Sequence, residues 1–266
     1  MKRLLISTIL FTIVTLPVTL LAADPNVTPE GIRITPDVVY GHKFGLALTF
    51  DMYQPKIQNG AGIIMLNSGG WSSQFPNYYE RTPDRIRLKE EFREDPLLKK
   101  GFTLFSVRHG SSPKFEMHEI VSDLRTAVRF IRFHSEEYGI KAERLGIMGG
   151  SSGGHLSLLI ATTSEIKNSE ATEPFEKDSG RVAAVVAYFP PTDLYKIVKD
   201  TWSKMPEILE RLPVVNIEDD QLKKFSPINY VTQDDPPTLI VHGDQDEGVP
   251  VNQGKTMYQA LQKAGV

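Results

Sequence analysis

The sequence predicts a doubly wound α/β fold built on one mostly parallel β-sheet. Short apolar runs of strand length alternate along the chain with longer segments whose apolar residues recur at helical spacing. Several of these runs, such as Gly62–Leu66, are continuously apolar, which is typical of parallel strands that are covered on both faces. A chain of 266 residues is long enough to form such a sheet as a single domain.

The first half of the chain supplies a lead-in, a hairpin, two buried strands and two helices. Residues 24–36 are rich in proline, asparagine and threonine and favour an irregular start, and the hairpin is expected around Gly41 and Gly45. The predicted strands are Val38–Tyr40, Leu46–Tyr53, Gly62–Leu66 and Phe102–Val107, and the predicted helices are the charged segment Asp84–Lys100 and Met117–Tyr138, which is expected to end at Gly139.

The second half continues the alternation with two interruptions. Residues 165–180 are polar and charged, which indicates a surface loop. Residues 193–230 contain helical patches broken by three prolines, an insertion of the kind that could cap a site. The predicted strands are Leu145–Met148, Val182–Phe189 and Thr238–Val241, and the predicted helices are Ser152–Thr163 and Asn252–Ala264.

Composition narrows the function classes. The formal charge is −3 and no basic stripe alternates with aromatic residues, which disfavours nucleic-acid binding. The sequence contains no cysteine, so disulfides and a lipidated cysteine are excluded. No P-loop, no G-x-G-x-x-G fingerprint and no metal-spaced group of His, Asp and Glu is present, so we expect no cofactor and no metal.

The first 23 residues have the layout of a secretory signal peptide. Lys2 and Arg3 precede the apolar run Leu4–Leu16, and small residues follow at Ala22 and Ala23. An uncleaved N-terminal anchor is the alternative, because Leu4–Ala23 could nearly span a bilayer. Polar residues and a proline inside the run favour the leader. We therefore expect residues 1–23 to be removed, the domain to occupy residues 24–266, and the protein to be exported to the periplasm or the extracellular space, without stable membrane association.

A glycine-rich turn between a predicted strand and a predicted helix carries the main catalytic signal. A G-x-S-x-G box on such a turn suits a serine nucleophile, because small residues let the strand and helix approach closely and force the hydroxyl outward. The box fits in two registers, centred on Ser151 or on Ser152, and spacing alone does not separate them. The alternative is a purely structural turn in which a serine caps the helix.

Two further segments offer the remaining parts of a serine hydrolase. Asn67–Trp71 follows a buried strand, and its glycines could turn backbone N–H groups toward a substrate oxygen. An acidic turn follows the strand Thr238–Val241, at the sheet edge where open α/β folds place their sites. The carboxylates that compete for the role of the acid are Asp244, Asp246 and Glu247.

With these motifs in this order, the chain resembles the α/β-hydrolase family, in its esterase and acetyl-xylan-esterase-like branch that borders the prolyl-oligopeptidase-like peptidases. The resemblance covers nearly everything after residue 37. Residues 149–155 match the motif G-x-S-x-G-G-H, which implies that Ser151 is the nucleophile. Residues 242–250 match H-G-x-x-D-x-x-V-P in full, which implies that Asp246 is the acid. Pro191–Leu194 also looks like this branch.

The oxyanion motif of that branch, H-G-G-G-W, is matched only in part. Asn67 and Ser68 stand where the motif has His and its first Gly, whereas the two following glycines and the tryptophan are kept. The resemblance implies that the oxyanion donors are the N–H groups of Gly69, Gly70 and Ser152. Trp71 could line a substrate pocket together with other aromatic residues, and packing in the core or under a cap is the alternative. Those other residues are Phe75, Tyr78 and Tyr79.

The base of the predicted triad has no match. The family's histidine follows the acid after one more helix and strand, but no histidine follows Asp246 in this sequence. His155 adjoins the motif serine, but it is expected to point away from that serine and to be structural. We therefore expect a sheet of the α/β-hydrolase type that lacks its last strand and helix, through C-terminal truncation or, as a less favoured alternative, in an inactive homologue. Either would leave a chain without turnover and with an exposed edge at Thr238–Val241.

The function that these features predict is a serine carboxylic-ester hydrolase with a Ser-His-Asp acyl-enzyme mechanism. Its expected substrates are small-molecule or polysaccharide esters. The alternatives are a prolyl-oligopeptidase-like serine exopeptidase and a non-catalytic, exported ligand-binding homologue.

Overall fold

In the computed structural model, a seven-stranded sheet organises the chain. The structure describes residues 24–73, 78–81, 86–89, 92, 95–163 and 173–266, so the predicted leader and Phe75 lie outside the described residues. The strands are β1 (Ile32–Lys43), β2 (Leu46–Pro55), β3 (Gly62–Leu66), β4 (Ser68–Gly69), β5 (Ser72–Ser73), β6 (Tyr79–Arg81), β7 (Ile86–Leu88), β8 (Thr103–Val107), β9 (Leu145–Gly150), β10 (Val185–Tyr188) and β11 (Thr238–Val241).

Helices connect these strands and cover the sheet. None of the helices in the described part of the chain is long and apolar enough to span a bilayer. The α-helices are α1 (Pro96–Lys99), α2 (Met117–Phe133), α3 (Ser152–Thr162), α4 (Leu194–Asp200), α5 (Pro206–Arg211), α6 (Asp219–Lys224) and α7 (Asn252–Ala264).

The main sheet has the strand order β1-β2-β8-β3-β9-β10-β11. The hairpin β1–β2 is antiparallel, β2 pairs antiparallel with β8, and every other pairing in this sheet is parallel. The predicted doubly wound, mostly parallel sheet is therefore confirmed. Leu66 pairs with Gly149, and Tyr188 pairs with both Gly150 and Val241. This register brings the carboxyl ends of β3, β9 and β11 to one edge of the sheet.

Three predicted elements have different bounds in the structure. β1 begins at Ile32, within the expected irregular lead-in, because it pairs with β2 over the whole length of the hairpin. α2 ends at Phe133, where backbone and imidazole groups of His134 both bond to the Phe130 carbonyl. The prediction of one charged helix over Asp84–Lys100 is wrong at its start, because β7 pairs there with β6 and buries Leu88.

β11 is the last strand of the sheet in the described part of the chain. It pairs with β10 on one side only. Its side chains alternate between exposed and partly buried, and Leu239 and Val241 are 57% and 43% exposed. Parallel strands are normally buried on both faces, so this strand has the exposure of an edge.

Candidate active site

Ser151 lies at the junction of β9 and α3 in a strained conformation. Its backbone has φ 52° and ψ −122°, a region that side-chain-bearing residues rarely occupy. The Ser151 N–H donates to the carbonyl of Tyr188 on β10 at 2.9 Å, and the Ser151 carbonyl accepts from the N–H of His155 at 2.9 Å. Such strain costs about 1–3 kcal/mol and persists only where the surroundings enforce it. Ser151 itself is partly exposed.

Two glycines allow this turn, and they are the two that flank Ser151 at −2 and +2. A Cβ at Gly149 would lie 2.5 Å from the carbonyl carbon of Gly153, and a Cβ at Gly153 would overlap the carbonyl oxygen of Leu66. A Cβ at Gly150 would instead lie 3.2 Å from the ring of Phe189, a side chain that can yield. The close approach of β9 and α3 therefore depends most on Gly149 and Gly153, the two glycines of the motif register that is centred on Ser151.

The hydroxyl of Ser152, by contrast, is engaged inside the protein. Ser152 is 1% exposed, and its Oγ donates to the carbonyl of Ser68 at 2.9 Å and lies 3.2 Å from the Ser68 hydroxyl. Its backbone N–H lies in the first turn of α3, where N–H groups have no acceptor within the helix. The geometry leaves the Ser152 amide available to a ligand and its hydroxyl occupied.

The segment after β3 forms a tight hairpin at the same edge of the sheet. β4 pairs with β5 across Gly70 and Trp71, which both have positive φ, at 58° and 59°. A Cβ at Gly70 would lie 2.8 Å from the Leu212 side chain, so the 193–230 insertion closes over this hairpin. The side-chain amide of Asn67 is held at both ends, by the Tyr78 hydroxyl at 2.9 Å and by the Ser106 hydroxyl at 3.2 Å.

Trp71 does not line an open substrate pocket. It is packed in the interior instead, which was the alternative expectation for this residue. Its side chain is 1% exposed and packs edge-on against His155 and Trp202. The indole N–H donates to His155 Nδ1 at 3.0 Å. A buried indole N–H needs a hydrogen-bond acceptor, and His155 supplies it. This requirement explains why Trp71 packs against His155.

His155 is structural, as expected. Its Nδ1 accepts from Trp71, so its Nε2 carries the proton and donates to the carbonyl of Phe225 at 2.7 Å. Complete burial lowers the pKa of His155 to about 4 and outweighs the opposing effect of the Phe225 hydrogen bond. This imidazole joins the hairpin after β3, the first turn of α3 and the 193–230 insertion.

Asp246 is the carboxylate that the turn after β11 holds in place. Its Oδ1 accepts from the backbone N–H groups of Gly248 at 3.0 Å and Val249 at 2.8 Å. Its Oδ2 lies 3.8 Å from His242 Nε2, and the side chain is 26% exposed. The turn is fixed from the insertion as well, because the indole N–H of Trp202 donates to the Gly248 carbonyl at 2.8 Å. Asp244 and Glu247, the two competing carboxylates, are exposed.

All six histidines of the chain belong to the described residues, and none of their imidazole rings has a hydrogen bond to Ser151. His242 donates through Nε2 to the Val249 carbonyl at 2.7 Å. His42 and His118 are exposed, and His134 bonds to the end of α2. Among the described residues, no group of three or more His, Cys, Asp or Glu side chains is arranged to hold a metal ion.

His109 is a site feature that sequence reasoning missed. It is 5% exposed, and its Nε2 lies 3.1 Å from the hydroxyl of Ser68, which also adjoins Ser152. Burial lowers the pKa of His109 below its ordinary value, against the raising effects of the Gly110 carbonyl and Asp123. No motif or periodicity marks this residue, because it meets Ser68 only through the pairing of β3 with β8.

Comparison with known proteins places the chain in a family. The sequence model of the BD-FAE family matches residues 50–261, which is most of the chain. A truncated form of a carbohydrate esterase from gut microbiota superposes with a TM-score of 0.68 at 28% identity, over 92% of this chain and 87% of that one. The fold is therefore that of the esterase-like α/β-hydrolases.

Curated relatives are similar over part of their length. A probable carboxylic ester hydrolase of Mycobacterium tuberculosis is 29% identical over 167 residues, which is 61% of this chain and 38% of that protein. An acetylxylan esterase of Xylanibacter ruminicola is 27% identical over 232 residues, 84% of this chain and 43% of that protein. The chain spans about two fifths of the length of the curated relatives that it matches. Taken together with the glycine-flanked turn at Ser151, these matches establish that the chain belongs to the BD-FAE family of α/β-hydrolases.

Proposed function

We propose that the protein is a serine hydrolase of carboxylic esters, with Ser151 as its nucleophile. The observation that carries this proposal is the strained backbone of Ser151 between Gly149 and Gly153. Strain of this kind clusters at functional sites, and here it lies at a partly exposed serine on the edge where three strands end. The esterase relatives are consistent with this chemistry.

In the proposed reaction, Ser151 Oγ attacks the ester carbonyl while a base takes its proton. The tetrahedral intermediate collapses as the carbon–oxygen bond to the alcohol breaks, and the alcohol leaves with that proton. Water then hydrolyses the acyl-enzyme by the same steps and releases the acid. The N–H groups of Gly69, Gly70 and Ser152 are the proposed oxyanion donors, each worth about 3 kcal/mol in the transition state. Asp246 is proposed to orient the base.

No histidine of these 266 residues is placed to act as that base, since none of their rings bonds to Ser151. Each buried histidine of the chain already has a structural partner, and Asp246 Oδ2 has no imidazole nearer than His242 Nε2 at 3.8 Å. We therefore expect this chain by itself to turn over esters very slowly.

The predicted leader, residues 1–23, supports a separate proposal, namely that the protein acts after export.

An arylboronic acid tests the serine without requiring turnover, because its boron bonds to a serine Oγ that lies beside oxyanion donors, and the hydroxyl proton can pass to water. We expect boron NMR to detect an adduct that disappears in Ser151→Ala and persists in Ser122→Ala, an exposed serine on α2. An adduct that survives Ser151→Ala would overturn Ser151 as nucleophile. Absence of any adduct would favour a non-catalytic ligand-binding protein.

Turnover assays then separate the remaining possibilities. We expect the 266-residue chain to hydrolyse p-nitrophenyl acetate close to the uncatalysed rate. Rapid hydrolysis abolished by Ser151→Ala would keep the esterase but show that a group of this chain acts as the base. Preferential cleavage of aminoacyl anilides would instead indicate the exopeptidase.

A further inference from the structure

His109 is linked to both segments that carry the proposed oxyanion donors. Its Nδ1 lies 2.6 Å from the carbonyl oxygen of Gly110. A carbonyl can only accept a hydrogen bond, so Nδ1 carries the proton. In the neutral imidazole Nε2 is then an acceptor, and it receives the hydroxyl proton of Ser68 at 3.1 Å. The hydrogen bonds therefore determine both the tautomer of His109 and the direction of the Ser68 hydroxyl.

Ser68 extends this link to the first turn of α3. The hydroxyl of Ser152 donates to the Ser68 carbonyl at 2.9 Å and lies 3.2 Å from Ser68 Oγ. Ser68 directly precedes Gly69, and the backbone amide of Ser152 is itself a proposed donor. Ser68, Ser152 and His109 are 8%, 1% and 5% exposed, so water does not compete effectively for these bonds.

The other side of His109 is anchored in the body of the protein. The N–H of Gly110 donates to Asp123 Oδ2 at 2.9 Å, and Asp123 Oδ1 lies 2.5 Å from Lys43 Nζ. Asp123 is 3% exposed and belongs to α2. The loop that carries His109 is thus tied to a helix, whereas the hairpin that carries Ser68 contains only two residues in each strand.

We propose that His109 is a positioning residue for the oxyanion hole, which it holds in shape through the hydroxyl of Ser68. This role rests on the proposed esterase function. The oxyanion motif H-G-G-G-W of the esterase branch has a glycine where this chain has Ser68. A glycine has no hydroxyl that could donate to an imidazole. Ser68 and His109 therefore act as one unit, and removing either partner breaks the same bond to β4, while the bonds of Ser72 and Ser73 on β5 to the loop after His109 remain.

Two amide variants separate the two nitrogens of His109. The amide group of an Asn side chain lies the same number of bonds from Cβ as Nδ1 of His does. The amide group of a Gln side chain lies the same number of bonds from Cβ as Nε2 of His does. His109→Asn can keep the bond to the Gly110 carbonyl but cannot reach Ser68, whereas His109→Gln can accept from Ser68. Ser68→Ala removes the hydroxyl with the smallest change of volume, so it tests the same link if His109→Asn fails to fold.

The test measures the dissociation constant of phenylboronic acid at Ser151, since the adduct places an oxygen in the oxyanion hole. We expect His109→Asn and Ser68→Ala each to weaken the adduct at least about tenfold. The double variant should lose no more than either single one, and His109→Gln should remain within about threefold of wild type. A role in stability alone would leave the dissociation constant of each folded variant unchanged.

The contrary outcomes are distinguishable. A wild-type adduct at Ser151 that is equally tight in His109→Asn and Ser68→Ala overturns the role of His109 and leaves the proposed function standing. Additive losses in the double variant, or no rescue by His109→Gln, also overturn it. Absence of a Ser151 adduct in the wild type overturns the proposed function and, with it, this role.

Discussion

The buried imidazole of His155 makes the stability of the protein depend on pH in a way that can be calculated. In the folded state its pKa is about 4, whereas the ordinary value is 6.5. As the pH falls below about 6.5, the unfolded chain binds a proton at this position and the folded protein does not, so the free energy of unfolding decreases. The linkage relation gives a loss of about 2 kcal/mol between about pH 7 and pH 5, and about 3 kcal/mol once the pH is below 4.

Urea unfolding at these two pH values checks the calculation, with His155→Gln as the control. Gln does not titrate, so this variant lacks the His155 contribution to the pH dependence but keeps that of every other group, including His109. Its stability at neutral pH will be lower, because the Trp71 indole loses its acceptor. We expect wild type to lose about 2 kcal/mol more unfolding free energy than the variant between pH 7 and pH 5. Equal losses in the two proteins would refute it.

The remaining predictions concern the turn at Ser151 and the turn of the acid. Gly153→Ala should cost at least about 3 kcal/mol of unfolding free energy because its Cβ would overlap the Leu66 carbonyl, whereas Gly150→Ala should cost less than about 1.5. Similar losses in the two urea titrations would contradict the close approach. Ser151→Gly should be more stable than Ser151→Ala by about 1 kcal/mol, because only glycine relieves the positive φ; equal melting midpoints would show that the turn is not strained. Trp202→Phe should lose about 1 kcal/mol and increase hydrogen exchange in residues 244–249, because a backbone carbonyl there loses its indole donor. Unchanged exchange would show that the acid turn does not depend on this bond.

The fold was predictable because its signals are local. Continuous apolar runs such as Gly62–Leu66 mark buried strands, and most of the predicted strands and helices occur close to the expected positions. The strand β7 is an exception, and it shows that local composition alone does not always predict the type of element. Charged residues around Ile86–Leu88 favoured a helix, but pairing with β6 and burial of Leu88 outweighed that preference.

In the candidate site, too, some features depend on neighbouring residues and others depend on contacts between distant segments. The sequence by itself determined the turn around Ser151 and the acid turn around Asp246, because each motif depends on neighbouring residues whose size and backbone freedom can be read directly. The motif implied Ser151 rather than Ser152, but only the tertiary structure shows that the hydroxyl of Ser152 is occupied, since its partner Ser68 lies 84 positions away. The link from His109 to Ser68 spans 41 positions and has no periodicity. Such contacts depend on which strands pair and in what register, and that alignment is a property of the folded sheet.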